Sequence, residues 1–150
     1  MKKTLFILFT LILFSCSSDN DSESFDLIIG TWTELGQGIV SDDGTTQFSE
    51  YDGFCVTLGR FSFNEDGTFN IETFDGPDDG CFSTGILTGI WKNQGESYLI
   101  EVLTDSSSES ETGQKANIRI EFPNENRMQW VFQSVSEGID YRYEEYTRLE

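Results

Sequence analysis

Short segments in which apolar and polar residues alternate, each ended by a turn, are the feature of this sequence that most constrains its fold. The clearest runs from Asn117 to Phe122, where Ile118, Ile120 and Phe122 alternate with polar residues. This period of two places successive side chains on opposite faces of a β-strand. No segment keeps the helical period of 3.6 residues. The sequence therefore predicts an all-β protein whose strands follow one another in an antiparallel meander.

The turns divide the chain into eight predicted strands. The strongest turn signal is Asn64–Gly67, because Gly67 accepts a positive φ angle and Asp66 tolerates one. Residues 36–46 are rich in Gly, Ser and Asp and are expected to form a loop, and Phe48–Gly53 is expected to be a short strand or a lid over the barrel mouth. The predicted strands are Gly30–Leu35, Cys55–Phe63 with a bulge or bend at Gly59, Phe69–Phe74, Phe82–Lys92, Tyr98–Leu103, Asn117–Phe122, Met128–Phe132 and Ile139–Arg148.

Eight strands in a meander can close into an up-and-down barrel that has no exposed edge. The interior of such a barrel is just wide enough for side chains or for one small ligand. Gly30 and Trp32 open the first strand, and this pair suits the closed end of a barrel. The glycine lets the backbone pass close to its neighbours, while the indole fills space. We expect the protein to be a monomer.

Composition excludes several classes of function. There are 27 acidic residues against 9 basic ones, no histidine, and a formal net charge of -18. An acidic surface repels phosphate backbones, so nucleic-acid binding is not expected. The lack of histidine removes His-based catalysis and zinc sites that need imidazole. The 13 Phe, 5 Tyr and 3 Trp supply a core, so we predict a folded protein that is not an enzyme and has neither cofactor nor metal.

The first 15 residues have the features of an export signal. A short basic start that ends at Lys3 precedes an apolar run, Thr4–Phe14, that is far too short to span a bilayer. The run ends in Leu13-Phe14-Ser15-Cys16, which resembles the lipobox of bacterial lipoproteins. The resemblance implies that residues 1–15 are removed and that Cys16 carries a lipid. The alternative is an ordinary signal peptide with a chance cysteine near the cleavage site.

A polar and acidic segment follows Cys16. Ser17–Ser24 contains no apolar residue and is predicted to be a flexible tether, so the domains are 1–15 signal peptide, 16–24 lipidated cysteine and tether, and 25–150 barrel. The segment resembles the Ser-rich acidic stretch that accompanies surface display in Bacteroidetes lipoproteins, although a plain solvated spacer has the same composition. We expect an exported protein, held to the outer membrane by its lipid and either periplasmic or surface-exposed.

Two further cysteines are predicted to form a disulfide. Export places them in an oxidising compartment. If the hairpin centres on Glu65–Asp66, Cys55 lies opposite about Gly76, and Cys81 begins the next strand at the same end. The bridge would be structural, and two free buried thiols are the alternative. A metal site would need more ligands than these two.

Four motifs together are similar to the lipocalin-like lipoproteins of Bacteroidetes. They are Gly30-x-Trp32, Phe63-Asn64-Glu65-Asp66-Gly67-Thr68-Phe69, Gly89-Ile90-Trp91 and Tyr146-Thr147-Arg148. The resemblance covers Leu27 to the end of the chain. It implies an eight-stranded up-and-down barrel that binds a small apolar molecule, with Arg148 packed over Trp32 at one end of the barrel.

The predicted function is that of a lipid-anchored binding protein, which holds a small hydrophobic molecule by shape and carries out no chemistry. The inward apolar side chains are the candidates for lining a cavity, although they also form a solid core if the barrel is filled. Glu121, Glu144 and Glu145 are expected to be solvated. The candidate lining residues are Phe61, Phe63, Phe69, Ile71, Ile118, Ile120, Met128, Trp130, Phe132, Tyr141 and Tyr143.

Two other classes of function stay open. A surface interaction protein with a solid barrel would bind a protein or a glycan through its loops, and the acidic loop near Ser106 and the Phe48–Tyr51 segment would carry that contact. A hydrolase that uses carboxylates alone is disfavoured, because no pair of carboxylates can be brought together from the sequence.

Overall fold

A computed structural model describes residues 25–77, 80–107, 112–134 and 136–149, and the predicted signal peptide and tether lie outside them. Strands dominate this part of the chain, with a single short turn of 3₁₀ helix at Val56–Leu58. The strands are β1 (Gly30–Ser41), β2 (Thr46–Glu50), β3 (Arg60–Phe63), β4 (Thr68–Asp75), β5 (Phe82–Asn93), β6 (Tyr98–Asp105), β7 (Lys115–Asn124), β8 (Arg127–Gln133) and β9 (Ile139–Arg148).

Eight of these strands form a closed ring. Strands β3 to β9 pair in chain order, and β1 pairs with both β3 and β9. All the pairings are antiparallel, and at the closure Trp32 lies opposite Phe61 on one side and Arg148 on the other. The predicted all-β antiparallel barrel is therefore confirmed. No helix within the described ranges reaches the length and hydrophobicity of a membrane span.

Strand β1 is twice as long as its predicted counterpart. It runs on to Ser41, through residues that were expected to form a loop, and pairs with β9 along its length. Gly36 and Gly38 explain the error. A Cβ atom at Gly36 would collide with the backbone of β2 and the Phe48 ring, and one at Gly38 would collide with the Tyr143 ring. These glycines permit close packing within the sheet, so their presence in the sequence mimics a loop.

The segment that was expected to be a short strand or a lid, Phe48–Gly53, overlaps strand β2, so the strand alternative is confirmed, and β2 forms an edge of the barrel. Strand β2 pairs with the second half of β1, from Gly36 to Val40, whereas β3 pairs with the first three residues of β1. Because β1 is shared in this way, β2 pairs with no other strand of the described chain. The expectation of a barrel without any exposed edge is wrong at this position, and all five residues of β2 are exposed.

The predicted strand Cys55–Phe63 is also wrong in its first half. The 3₁₀ turn occupies this half, and only the four residues of β3 are extended. The guanidinium of Arg60 holds the turn, since its Nη1 donates to the carbonyls of Thr57, Leu58 and Gly59 at 2.8–3.1 Å. A contact of this kind overrides the strand preference of the apolar residues.

The predicted disulfide is confirmed. Cys55 and Cys81 are bonded, with their Cα atoms 5.3 Å apart. The bond joins the segment before the 3₁₀ turn to the residue that precedes β5. It lies at the end of the barrel opposite Trp32, where the connections are longest.

Candidate functional site

Trp32 and Arg148 close one end of the barrel. The Arg148 guanidinium lies 4.1 Å from the centroid of the Trp32 ring, a favourable cation–π geometry. The same guanidinium donates to the carbonyls of Ile29 and Leu27 at 2.6 and 2.7 Å. Trp32 is fully buried, and its Nε1 donates to the Ile28 carbonyl at 2.8 Å. The segment that enters the barrel is thereby fastened across this end, which we call the closed end.

Aromatic rings fill the interior next to the closed end. Phe61 and Tyr146 meet edge to face with ring centroids 4.8 Å apart, and Trp130 lies 5.5 Å from Tyr146. Phe63 lies 6.0 Å from Phe69 and continues the cluster. Such pairs are favourable beyond the area that they bury. These rings pack against one another and fill this part of the interior.

Farther along the barrel, the interior contains an apolar cavity of about 170 Å³. Trp130 and Gln114 border it, and it opens beside the exposed residue Ala116. The indole Nε1 of Trp130 is buried and has no hydrogen-bond partner among the described residues. The other lining residues are aliphatic: Ile71, Leu87, Ile100, Val102, Ala116 and Ile118.

A second and larger cavity, of about 430 Å³, lies at the end of the barrel opposite Trp32, which we call the mouth. Trp130 and Phe132 are two residues apart on β8, and they border the apolar cavity and the mouth cavity respectively. The wall of the mouth cavity is mixed, with Arg142 and Glu144 as its charged members. Its other residues are Gln37, Gly38, Ile39, Gln47, Phe48, Ser49, Phe132 and Tyr143.

Two carboxyl groups, those of Glu34 and Glu144, point into the barrel and interact electrostatically. Burial, and then the neighbouring Glu144, raise the pKa of Glu34 to about 7. The Tyr146 hydroxyl donates to Glu144 Oε2 at 2.9 Å. Burial and the two carboxylates also raise the pKa of Tyr51, which places this ring near them. We refer to Glu34 and Glu144 as the inner carboxylates.

The inner carboxylates were missed in the sequence, where Glu144 was expected to be solvated. The alternation of inward and outward side chains along β1 and β9 could have identified them. Glu34 follows the buried Trp32 by two residues, and Glu144 precedes the buried Tyr146 by two, so both inherit an inward direction. Across the described ranges, no group of three or more His, Cys, Asp or Glu side chains is placed to hold a metal ion.

The raised pKa of Glu34 predicts a pH-dependent stability. Because the folded pKa lies above the ordinary value of 4.5, the folded state favours the protonated form, and stability falls as the pH rises from about 4.5 to about 7. Glu34 is partly exposed, so we discount the full shift and expect Glu34→Gln to raise the free energy of unfolding at pH 8 by about 2 kcal/mol. Urea denaturation at pH 4.5 and pH 8 measures this difference.

Glu65→Gln is the control for this measurement, because Glu65 is exposed in the β3–β4 turn. Its free energy of unfolding should follow the wild-type protein at both pH values. Identical pH dependences for Glu34→Gln and the wild-type protein would contradict the burial of Glu34 inside the barrel.

The structure brings eight of the predicted lining residues into one core. Among these eight, Ile71, Ile118 and Trp130 border the apolar cavity, while the other five pack against their neighbours. The eight residues are Phe61, Phe63, Phe69, Ile71, Ile118, Ile120, Met128 and Trp130.

The remaining three lie elsewhere. Phe132 is exposed at the mouth, where it borders the larger cavity. Tyr143 lies opposite Val131 and Tyr141 opposite Gln133, on the face that points away from the interior.

The tyrosines face outward because of the register between β8 and β9. Met128, which is fully buried, lies opposite Tyr146, and cross-strand partners share a face. Tyr143, three residues before Tyr146, therefore points the other way. It is nevertheless buried, because Gly38 leaves room for its ring and Phe48 stacks beside it with centroids 6.4 Å apart. Tyr143 was predicted to line the cavity because it is aromatic, but its ring is buried on the outside of the barrel.

The chain is similar to solved structures, but it matches no known family by sequence. No protein-family model matches the chain, and no curated protein matches it. Among solved structures, it is similar to a lipocalin-like protein from Bacteroides uniformis, with 14% identity and a TM-score of 0.48 over 82% of this chain and 99% of that chain. An uncharacterized protein from Bacteroides eggerthii matches with 15% identity and a TM-score of 0.46, over 81% of this chain and 98% of that chain.

A third match is a deswapped triple mutant of bovine odorant binding protein, with 11% identity and a TM-score of 0.36 over 82% of this chain and 74% of that chain. A lipocalin-like protein of Bacteroides is thus among the structures to which this chain is similar, in agreement with the resemblance of the sequence motifs.

Proposed function

We propose that this chain is a lipid-anchored, non-catalytic binding protein of lipocalin-like form, which holds a small hydrophobic molecule inside its barrel. The observation that carries the proposal is the apolar cavity of about 170 Å³ beside Trp130. A cavity of about 150 Å³ lined by aliphatic and aromatic side chains stays dry and binds benzene. The space therefore suits a molecule about the size of one ring, held by burial of apolar surface.

The larger cavity at the mouth is the less suitable site for an apolar ligand. Its volume of about 430 Å³ lies within the range of small-molecule pockets. Because its wall is mixed, it suits water and polar groups better than an apolar molecule. We assign the apolar cavity to the residence of the ligand, with its entry at the opening beside Ala116.

The proposal includes a lipid on Cys16, which lies outside the described residues. The described chain begins at Phe25, and Asp26 is held at the closed end by the Tyr98 hydroxyl and the Asn93 amide, each at 2.7 Å. An anchor that precedes this point would join the barrel at the end opposite its mouth, and the mouth would stay open to solvent.

The anchor is tested by metabolic labelling with an alkyne fatty acid. We expect the wild-type protein to take up the label and to fractionate with membranes, and Cys16→Ala to lose both properties. Cys16→Ala that still fractionates with membranes would contradict the lipid anchor.

The ligand is tested by native mass spectrometry of the protein purified gently from its host. We expect a co-purifying small molecule that is lost on denaturation. Ala116→Phe places a ring at the opening of the apolar cavity and should remove that molecule, whereas Asn117→Phe places the same ring on the opposite face of β7 and should retain it. An unliganded mass for all three proteins would overturn the proposal.

A second candidate function rests on a different observation. Phe54 and Phe82, each more than half exposed, flank the disulfide that joins Cys55 to Cys81. Exposed aromatic rings held on a rigid support are suited to contact a protein or a sugar. Under this alternative, the double substitution Phe54→Ser and Phe82→Ser would abolish binding to a glycan array, and Ala116→Phe would leave it unchanged.

A further inference from the structure

Trp130 differs from the other two tryptophans in its hydrogen bonding. Trp32 Nε1 donates to the Ile28 carbonyl at 2.8 Å, and Trp91 Nε1 donates to two backbone carbonyls at 3.1 and 3.2 Å. Trp130 Nε1 is buried and has no partner among the described residues. A buried donor without an acceptor carries a desolvation penalty, and such groups are rare enough in native proteins to require an explanation.

No described side chain accepts a hydrogen bond from Trp130 Nε1. Its ring packs against Phe61 and Tyr146, with centroids 6.2 and 5.5 Å away, and the Tyr146 hydroxyl is already engaged with Glu144. The rest of the cavity wall is aliphatic except for Gln114, which makes no hydrogen bond to Trp130. A molecule that fills the cavity bordered by Trp130 can supply an acceptor for this N–H.

Two carboxyl groups and one guanidinium lie on the mouth side of Trp130. Glu144 lies directly opposite Trp130 in the β8–β9 pair, and Glu34 lies close enough to Glu144 to couple with it electrostatically. Arg142 is the basic residue that lines the mouth cavity beside Glu144. Glu34, with a pKa of about 7, is about half ionised at neutral pH, so the inner carboxylates together still carry more negative charge than one guanidinium balances. In a protein of formal net charge -18, this balance repels a further carboxylate.

We infer that the ligand is an uncharged, single-ring-sized molecule that accepts a hydrogen bond from Trp130 Nε1–H, and that carboxylate ligands are excluded. This inference rests on the proposed function and specifies its ligand class. A carbonyl or ether oxygen meets the requirement, because it accepts without bringing a charge next to the inner carboxylates. The aliphatic wall binds the remainder of the molecule by burial of its apolar surface.

Three probes of nearly the same shape test this inference. Acetophenone is uncharged and carries an acceptor, ethylbenzene lacks the acceptor, and benzoate carries the acceptor with a negative charge. We expect acetophenone to bind about tenfold more tightly than ethylbenzene, the effect of one hydrogen bond to an otherwise unsatisfied donor. Benzoate should bind at least tenfold more weakly than acetophenone. Titration calorimetry on the purified protein measures all three affinities.

The indole N–H resonances give an independent readout with internal controls. The three tryptophans give three indole signals, and Trp130→Phe identifies the one that belongs to Trp130. Acetophenone should shift the Trp130 signal far more than those of Trp32 and Trp91, which are bonded to carbonyls. In Trp130→Phe, the affinity for acetophenone should fall to that for ethylbenzene.

The outcomes separate this inference from the function on which it rests. Equal affinities for acetophenone and ethylbenzene, or an unmoved Trp130 signal, would overturn the hydrogen bond while leaving a hydrophobic binding protein. Benzoate that binds as tightly as acetophenone would overturn the exclusion of carboxylates. If none of the three probes binds, the result contradicts both this inference and the proposal that the apolar cavity is a binding site.

Discussion

Trp32→Ala is expected to lower the free energy of unfolding by about 4 kcal/mol, the cost of emptying a large aromatic side chain from a core. Trp32 is completely buried and supports three neighbours at once: the Ile28 carbonyl, the Phe122 ring at 6.1 Å and the Arg148 guanidinium at 4.1 Å. Its loss leaves a cavity at the closed end, where β1 pairs with both β3 and β9. Urea denaturation followed by far-ultraviolet circular dichroism measures the change.

Two further variants serve as references for this measurement. Phe25→Ala removes another aromatic side chain near the closed end, but Phe25 is 59% exposed, so the expected loss is within about 0.5 kcal/mol. Arg148→Met removes the cation–π contact and the hydrogen bonds to Ile29 and Leu27 while keeping an aliphatic stem, and should cost about 2 kcal/mol. A Trp32→Ala protein as stable as Phe25→Ala would show that this residue does not close the barrel.

The double substitution Cys55→Ser and Cys81→Ser is expected to lower the free energy of unfolding by about 3 kcal/mol. The bond closes a loop with a sequence separation of 26 residues, and a loop of this size restricts the unfolded chain by about that amount in the chain-entropy account. The bonded segment includes the 3₁₀ turn, which the ladder hydrogen bonds of the barrel do not hold. Urea denaturation in the absence of reductant measures the loss.

Reductant provides the control for the disulfide. It should bring the wild-type protein down to the stability of the double variant and leave the double variant unchanged. A wild-type protein whose urea midpoint does not respond to full reduction would contradict a stabilising role for this bond.

Most of the architecture could be read from local patterns. The alternation of Ile118, Ile120 and Phe122 and the Asn64–Gly67 turn predict strands and hairpins because a strand has a period of two and a tight turn needs particular φ angles. The hairpin register then brings Cys55 and Cys81 to the same end, which is why their bond was predictable. These features depend on residues within one or two strands.

The failures depend on side-chain contacts that the apolar pattern does not reveal. Gly36 and Gly38 belong to a strand because Phe48 and Tyr143, from β2 and β9, occupy the space beside them. The 3₁₀ turn before β3 exists because the Arg60 guanidinium holds three carbonyls. Phe48 and Tyr143 are distant from these glycines in the sequence, and the hydrogen bonds of Arg60 are local but do not alter the apolar pattern. Composition therefore indicated a loop in the first case and a strand in the second.

By itself, the sequence determined that this chain forms an antiparallel barrel with a tryptophan near its first strand and a disulfide near the opposite end, because these follow from periodicity, turns and hairpin register. The tertiary structure alone decided how the interior is divided. Register between β8 and β9 turned Tyr141 and Tyr143 outward and Glu144 inward. Closure of β1 on β9 brought Glu34 to Glu144 and left Trp130 beside an apolar cavity without an acceptor. A binding site in a barrel is made by side chains from many strands, and their convergence depends on how the ring closes.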